Sequence, residues 1–505
     1  MKKHAFPTNS IRFYILVAFF YALCISLMTW PATIRLNQQL IGNNIDNWIF
    51  YWNNWWFKQA TLTGQSWFFT DYLFYPNGTS LVTHSHSLLN SALAMVVEPV
   101  TGPVAAYNLV FLLGLWIGAL GVYIFIYHLT QQPGAAFLAG LVFTFAPYHL
   151  TQSLAHLHLG SIHWWPWYAF MLHRVFVRRY WVDALGAGVF AALTLWSGWQ
   201  LAVLLALWTA VFFPYALWTH RQMLPERPFR HHLIRATLIL ILATLLLSLP
   251  ILLPLAQNWQ TVTANELNFD EGTTRQTDLL AYWVPPTYHS FWGEKMVPIY
   301  ERFEANRANM AYLGYTAVLL ALFAILRGGK NGRFWGSLFL LWLILAAGNT
   351  PRLNGQTWNH IPLPFTWLGQ IFPISAIRAP DRFNLLVVFS LAVLAGLGAA
   401  YLLKQTDRRW LFWPLMGLIL IEYIPLPLPM WELPPTSPFL AELANNEEKT
   451  AVIDYPLGYT NAKLWLYYQT IHQQPIVEGH VSRYTADTYT FITNTPLLRH
   501  LYQYT

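Results

Sequence analysis

Arg378 and Arg382 bracket Pro380-Asp381. A guanidinium presents a planar fork of N–H donors, so this spacing suits bidentate binding of phosphate oxygens and stabilisation of a departing phosphate. An ion pair of either arginine with Asp381, locking the loop, is the plainer role for the same residues. A second group of interest is the carboxylate of Asp46, which ends the run Asn43-Asn44-Ile45-Asp46 and opens a helical stretch where Trp48, Trp52 and Trp55 recur at i, i+4 and i+7. Capping that helix is one role open to it. Downstream, Asp71 and the pair His84 and His86 precede the next apolar stretch, and histidines at i and i+2 could share a metal only in an extended segment. His149, His156 and His163 recur every seven residues beside His158. On a helix they form a polar stripe, functional by default if it lies at membrane depth; on a loop they are surface histidines with ordinary hydrogen bonds. Tyr282 and Trp283, followed by Val284-Pro285-Pro286, His289, Trp292 and Glu294, offer the aromatic platforms and polar groups of a sugar site, or the packing of a rim.

The elements that must position these groups are set by composition. Of 505 residues, 55% are hydrophobic and only 10% charged, against roughly 25% charged in a soluble globular protein. The charges leave windows of the ~20 apolar residues that a helix needs to cross a bilayer. No Lys, Arg, Asp or Glu lies between Asp183 and Arg221, or between Arg235 and Glu266. Spans are expected near 11–30, 104–127, 134–149, 160–175, 183–197, 200–219, 235–256, 310–327, 334–348, 384–403 and 410–428, about eleven transmembrane helices. The pieces around 161–170 and 194–200 are short enough to be re-entrant or tilted.

Orientation has an independent check. With the N-terminus inside, the inner face carries 16 of the 29 basic residues and only Asp183, Glu226 and Asp407 of the 22 acidic ones. That is +13 inside and −6 outside, matching the net +7. The positive-inside rule thus places the N-terminus in the cytoplasm and the C-terminus outside, a multi-pass protein of the plasma (inner) membrane. The basic balance reports topology, and no nucleic acid is implied. Met1-Lys2-Lys3 precedes an apolar stretch with no small-residue cleavage site before Trp30-Pro31, as expected of an uncleaved signal anchor. The single cysteine, Cys24, lies inside that stretch, which excludes a disulfide framework and a Cys-based metal site. Asn77-Gly78-Thr79 matches a glycosylation sequon, weakly and without meaning in most bacteria.

Four outer segments are too polar to span: 31–103, 257–309, 349–383 and the tail from 429. Residues 1–428 read as a transmembrane domain whose first outer loop, 31–103, carries interfacial helices, since Trp-rich amphipathic helices lie in the membrane interface. Residues 429–505 read as a small extracytoplasmic α/β domain, with a proline linker, a strand at 451–455 and a helix at 464–471. Fewer than about 80 residues make a marginal core, so this domain either docks on the loops or is incomplete.

Residues 46–56 (DNWIFYWNNWW), 69–78 (FTDYLFYPNG), 145–158 (FAPYHLTQSLAHLH) and 377–383 (IRAPDRF) resemble segments of a large, poorly characterised group of bacterial membrane proteins similar to the GT-C glycosyltransferases. The resemblance implies an all-α polytopic GT-C-like fold and an enzyme that transfers a sugar from a polyprenyl-phosphate donor to an extracytoplasmic acceptor, be it glycan, lipid or protein, in cell-envelope glycan biosynthesis. It assigns a first-loop acidic residue as catalytic base, a place that Asp46 matches. It leaves Arg378, Arg382, Asp71, His84, His86, His156, Tyr282 and Trp283 as candidate substrate-binding residues, and membrane lipids, the lipid-linked sugar and the acceptor as partners. The Asp-X-Asp pair of some members is missing, because Asp46 is followed by Asn47 and Trp48; the cofactor is therefore unknown, with no clear motif for a divalent metal. The alternatives are a non-catalytic protein that binds a lipid-linked glycan, or a transporter. A transporter would call for paired intramembrane charges or duplicated halves with broken helices, and neither stands out.

Overall fold

The computed structural model describes residues 10–260, 275–303, 307–377, 379–404, 406–446, 448, 450–484 and 486–503. Within them a helix overlaps each of the eleven expected spans. Five are long and apolar enough to cross a bilayer alone: Ile11–Met28, Pro103–Thr130, Trp199–Thr219, Arg227–Gln257 and Pro380–Leu403. A sixth is added if Pro133–Phe145 and Pro147–Ala155, bent by 44°, count as one span. The bend follows from Pro147, which disfavours helical backbone in the residue before it; Ala146 accordingly sits at φ −50°, ψ 127°. The other apolar helices, such as Trp165–Arg178 and Trp181–Ser197, are shorter. An ion pair of Arg174 with buried Asp183, 2.6 Å long, joins those two at the expected inner face.

The core is helix on helix. Asn384–Leu403 is buried along nearly its whole length and packs against Pro133–Phe145, Tyr315–Arg327 and Gly329–Ala346. Small residues make the close approach possible: a Cβ added at Gly398 would stand 1.9 Å from the Leu320 carbonyl oxygen. Arg227–Gln257 is the opposite case. It packs one face on Trp181–Ser197 and leaves Leu238, Leu242, Leu246, Leu249 and Leu253 exposed, an arrangement suited to lipid and not to water.

The segments expected on the outer side fold onto one another. Gln39–Ile41 pairs antiparallel with Met430–Glu432, Leu40 opposite Trp431, which ties the first outer loop to the tail. Phe69–Thr70 and Thr79–Ser80 make a small hairpin. The tryptophans of the helix Asn47–Thr63, expected from their spacing to lie in the membrane interface, mostly pack inside the protein, with Trp55 half-buried. Trp48, Trp52 and Trp56 are buried, Trp52 and Trp56 stacked at 5.9 Å, and Trp52 Nε1 donates to Gln469 Oε1 at 2.7 Å. Their partner is the tail helix Ala462–His472. Ile49, Trp52, Trp56 and Leu73 share one apolar cluster with Leu466, Ile476 and Val481, so the tail borrows core from the first loop. Among the described residues the expected strand at 451–455 is a single parallel bridge, Val452 to Ile476, and the tail's other elements are the strand Met430–Glu432 and short helices such as Ala462–His472.

Candidate functional site

Three segments distant in sequence meet around Asp46. Local bonds fix its backbone: Asn44 Oδ1 accepts from the Asp46 N–H at 2.9 Å, Asn47 Oδ1 accepts from the Asn44 N–H at 3.0 Å, and Asn47 Nδ2 donates to the Leu154 carbonyl at 2.8 Å. Asp46 stands at the helix N-cap, yet its carboxylate makes no capping bond. It points instead to two donors. Lys463 Nζ, from the tail helix, donates to Oδ1 at 2.6 Å, and His156 Nε2 donates to Oδ2 at 2.9 Å. Arg307 Nη1 lies 3.9 Å from Oδ2, 3.1 Å from His156 Nδ1 and 2.9 Å from Nε2. His156 takes this position because it follows the bent helix Pro147–Ala155, at the break that ends it.

Burial alone would raise the Asp46 carboxyl, but the hydrogen bonds from His156 and Lys463 and the Lys463 charge outweigh it and hold the group below the usual carboxylate range. Burial, reinforced by the Arg307 guanidinium, pushes His156 down to about 4 against the pull of Asp46. His156 is therefore neutral at pH 7. A neutral imidazole carries one N–H, and Nε2 is the ring nitrogen within reach of Asp46; Lys463 is the cation that closes on the other carboxylate oxygen.

Two cavities adjoin at His156, Arg275 and Arg382. The first, about 280 Å³, is lined by Asp46, Lys463, Trp199, Gln200, Tyr459 and Arg483 among others. The second, about 290 Å³, adds Gln152, Arg307 and Asp381 to the shared three. The second has three guanidiniums beside the Asp381 carboxylate and the first has Arg275, Arg382, Arg483 and Lys463 beside Asp46, so both linings carry net positive charge. Arg382 also donates to the Ile377 carbonyl oxygen. Tyr148 donates to Asp381 Oδ2 at 2.8 Å, and the Asp381 N–H donates to the Arg275 carbonyl at 3.2 Å, which fixes the loop that presents Arg382. The donor set around Asp46 does not fit a divalent metal: cations and an imidazole already engage its oxygens, and no three His, Cys, Asp or Glu side chains converge as a metal group among the described residues.

Of the residues singled out from sequence, Asp46, His156 and Arg382 come together. Arg378 lies outside the described residues. His84 is buried, its Nε2 bonded to Asn53 Oδ1 at 3.0 Å and its Nδ1 accepting from the Ser482 N–H at 3.1 Å, a clasp between first loop and tail. His86 packs beside it at 4.9 Å, pushed down to about 4 by burial. Asp71, half-buried beyond Phe69–Thr70, is not among the cavity-lining residues. Tyr282 is buried and donates to Asn384 Oδ1 at 2.9 Å, and Trp283 stacks on Tyr315. Neither lines the two cavities. His149 bonds to the Phe143 and Gly160 carbonyls, so the histidine stripe divides, with only His156 at the cavities. Sequence reading passed over Arg275, Arg307, Lys463 and Arg483. Their signal lay in the expected topology: a basic residue on the expected outer side is what the positive-inside rule leaves unexplained.

No protein-family model matches the chain, and no curated protein matches it in sequence. Solved structures do. The crystal structure of the Archaeoglobus fulgidus oligosaccharyltransferase in the apo form aligns over 94% of this chain and 65% of its own, with TM-score 0.51 and 11% identity. The cryo-EM structure of arabinofuranosyltransferase AftD from Mycobacteria aligns over 92% of this chain and 33% of its own, with TM-score 0.53 and 16% identity. This chain thus spans under two thirds of the first and a third of the second. At these identities the likeness establishes architecture: a helical membrane protein with the GT-C-like fold.

Proposed function

We propose that this chain is an integral membrane glycosyltransferase that moves a sugar from a polyprenyl-phosphate donor to an extracytoplasmic acceptor, with its C-terminal segment and large loops outside the cell. The observation that carries the reading is the Asp46 carboxylate, partly buried and ion-paired to Lys463, lining one of two cavities that share Arg275 and Arg382. Donor phosphate fits the second cavity, where Arg307 joins the shared Arg275 and Arg382. As the anomeric carbon–oxygen bond breaks, its electron pair leaves with the phosphate, and guanidiniums aimed at that oxygen stabilise the growing charge. The acceptor oxygen bonds to the anomeric carbon, and its proton passes to Asp46.

In the arrangement seen, Lys463 occupies Oδ1 and His156 Oδ2. An acceptor hydroxyl must therefore take the place of Lys463. Its departure removes the nearest cation, which raises the proton affinity of Asp46 as the hydroxyl arrives. The same pairing also favours a second reading, in which Asp46 stays ion-paired and the protein binds a lipid-linked glycan without transfer. Release of polyprenyl phosphate separates the two. Purified protein in lipid nanodiscs, given a panel of radiolabelled polyprenyl-phosphate sugars and short glycan acceptors, should release the lipid phosphate in step with labelled product. Tight donor binding without release across the panel would support the binding protein instead.

A further inference from the structure

Residues 358–372, in the loop that leads to Arg382, line neither cavity. They belong to an uncharged run: between Arg352 and Arg378 the sequence contains no Lys, Arg, Asp or Glu. The structure turns part of that run inward. Phe365 is buried against Phe383, ring centroids 6.0 Å apart, and the Leu363 N–H and Thr366 Oγ1 both donate to the Asn349 carbonyl, at 2.8 and 2.9 Å. With Phe365 held, its apolar neighbours are left outside: Trp367 is 59% exposed, Ile371 55% and Phe372 50%, and Trp358 and Ile361 are exposed earlier in the run. Single apolar side chains on a surface are ordinary, but an uncharged run of them marks a surface that something covers.

The position of the run says what covers it. Phe372 packs edge-to-face on Trp259 at 5.2 Å. Trp259, itself half exposed, stands just past the end of Arg227–Gln257, the helix whose exposed leucines suit lipid, so the two apolar surfaces are continuous. Arg235 is the last charge on that helix. From Arg235 to Gln257 the helix rises about 33 Å, against about 30 Å for the hydrocarbon core of a bilayer. With Arg235 at one membrane surface, Trp259 and Phe372 are at the other, where tryptophan rings sit at the level of the lipid headgroups.

We infer that residues 358–372 are a membrane anchor, and that Trp358, Trp367, Ile371 and Phe372 enter the headgroup and upper acyl region of the bilayer at the end of Arg227–Gln257 away from Arg235. The occupant of the surface is phospholipid. This is the role expected of Trp48, Trp52 and Trp55, whose helix packs inside the protein instead. The anchor also sets the depth of the cationic cavities. Phe365 and Phe383 tie it to the loop that holds Arg382, and Arg382 donates to the Ile377 carbonyl oxygen at the end of the run. The two cavities that share Arg382 are thereby held near headgroup level, where the phosphate of a membrane lipid lies. The docking needs no turnover, so it stands or falls apart from the proposed transfer.

The test reads depth. The full chain with Cys24→Ser, in phosphatidylcholine nanodiscs, is labelled at one introduced cysteine with an environment-sensitive nitrobenzoxadiazole dye. Quenching by a phospholipid that carries a nitroxide near its headgroup is then compared with quenching by a water-soluble nitroxide. Dye at Trp367→Cys or Ile371→Cys should shift its emission to the blue and lose most of its fluorescence to the nitroxide lipid, with little loss to the soluble quencher. Dye at Ser80→Cys, on the exposed face of the first-loop hairpin, should show the reverse. Ile371→Cys leaves the ring contact of Phe372 with Trp259 in place, so a folding defect at Trp367 does not remove the test. Quenching at both positions by the soluble nitroxide, as at Ser80, would overturn the anchor. Shielding from both quenchers would overturn it too, because that is the result of a protein partner or a second copy seated on this face.

Discussion

Replacing Lys463 by methionine removes the closest cation from Asp46 and leaves the rest of the site in place. The ion pair is 2.6 Å long, with the two side chains 14% and 15% exposed, so solvent does not screen it away. Stripping one partner from a fully buried pair costs roughly 3–5 kcal/mol. Here His156 still donates to Oδ2, and Arg307 stands 3.9 Å away, so the expected loss is about 1–3 kcal/mol, the range for a single unmet polar group. The pH dependence has a defined sign. The folded carboxyl is depressed, so its contribution is fully present above the unfolded value of about 3.9 and is lost as pH falls toward the folded one. Lys463→Met raises the folded value. Thermal melts of purified protein should then show a gap between wild type and variant that is full at pH 6 and narrows as pH falls below about 4. A cycle with Asp46→Asn should be non-additive, because the two residues touch. A gap that does not change with pH, or strictly additive melting shifts, would refute the view that Lys463 holds Asp46 ionised.

Two further outcomes follow from the same arrangement. Arg275→Gln and Arg382→Gln should each weaken farnesyl phosphate binding about 10- to 100-fold, the worth of a charge-assisted bond, and lysine at 382 should restore only part of it because a point charge loses the fork; unchanged affinity in the double variant would remove the arginines from the phosphate site. In a Cys24→Ser background, a cysteine at Ser80 should react with an impermeant reagent from outside intact cells and one at Gln222 should not. Labelling at Gln222 would overturn the orientation.

The membrane architecture was legible because apolar length and charge spacing are local properties. Every expected span finds a helix, even where the helix is too short to cross unaided, as at Trp165–Arg178. What the local pattern could not show was which partner buries an apolar face. The Trp48, Trp52 and Trp55 spacing reads equally as a lipid-facing stripe or a packed one, and the tail helix decided it, from more than 400 residues away, through Gln469. The site divides in the same manner. Asp46 stood out by position after the first span and Arg382 by its arginine-proline-aspartate setting. Lys463 sits in an ordinary amphipathic helix, and only the docking of that helix on Asn47–Thr63 brings its ammonium to Asp46. Arg275 and Arg307 lie in a loop whose fold no periodicity encodes.

The most direct measurement is the rate of sugar transfer by Asp46→Asn in nanodiscs, at matched folded protein. Asparagine keeps the shape and an oxygen for Lys463 or His156, and no capping bond is at stake, since the Asp46 carboxylate makes none. What it lacks is the ability to take the acceptor proton. Loss of a general base lowers a rate about 10²- to 10⁴-fold, and a fall of that size with donor affinity preserved is the predicted result. Transfer within a few-fold of wild type would contradict the account.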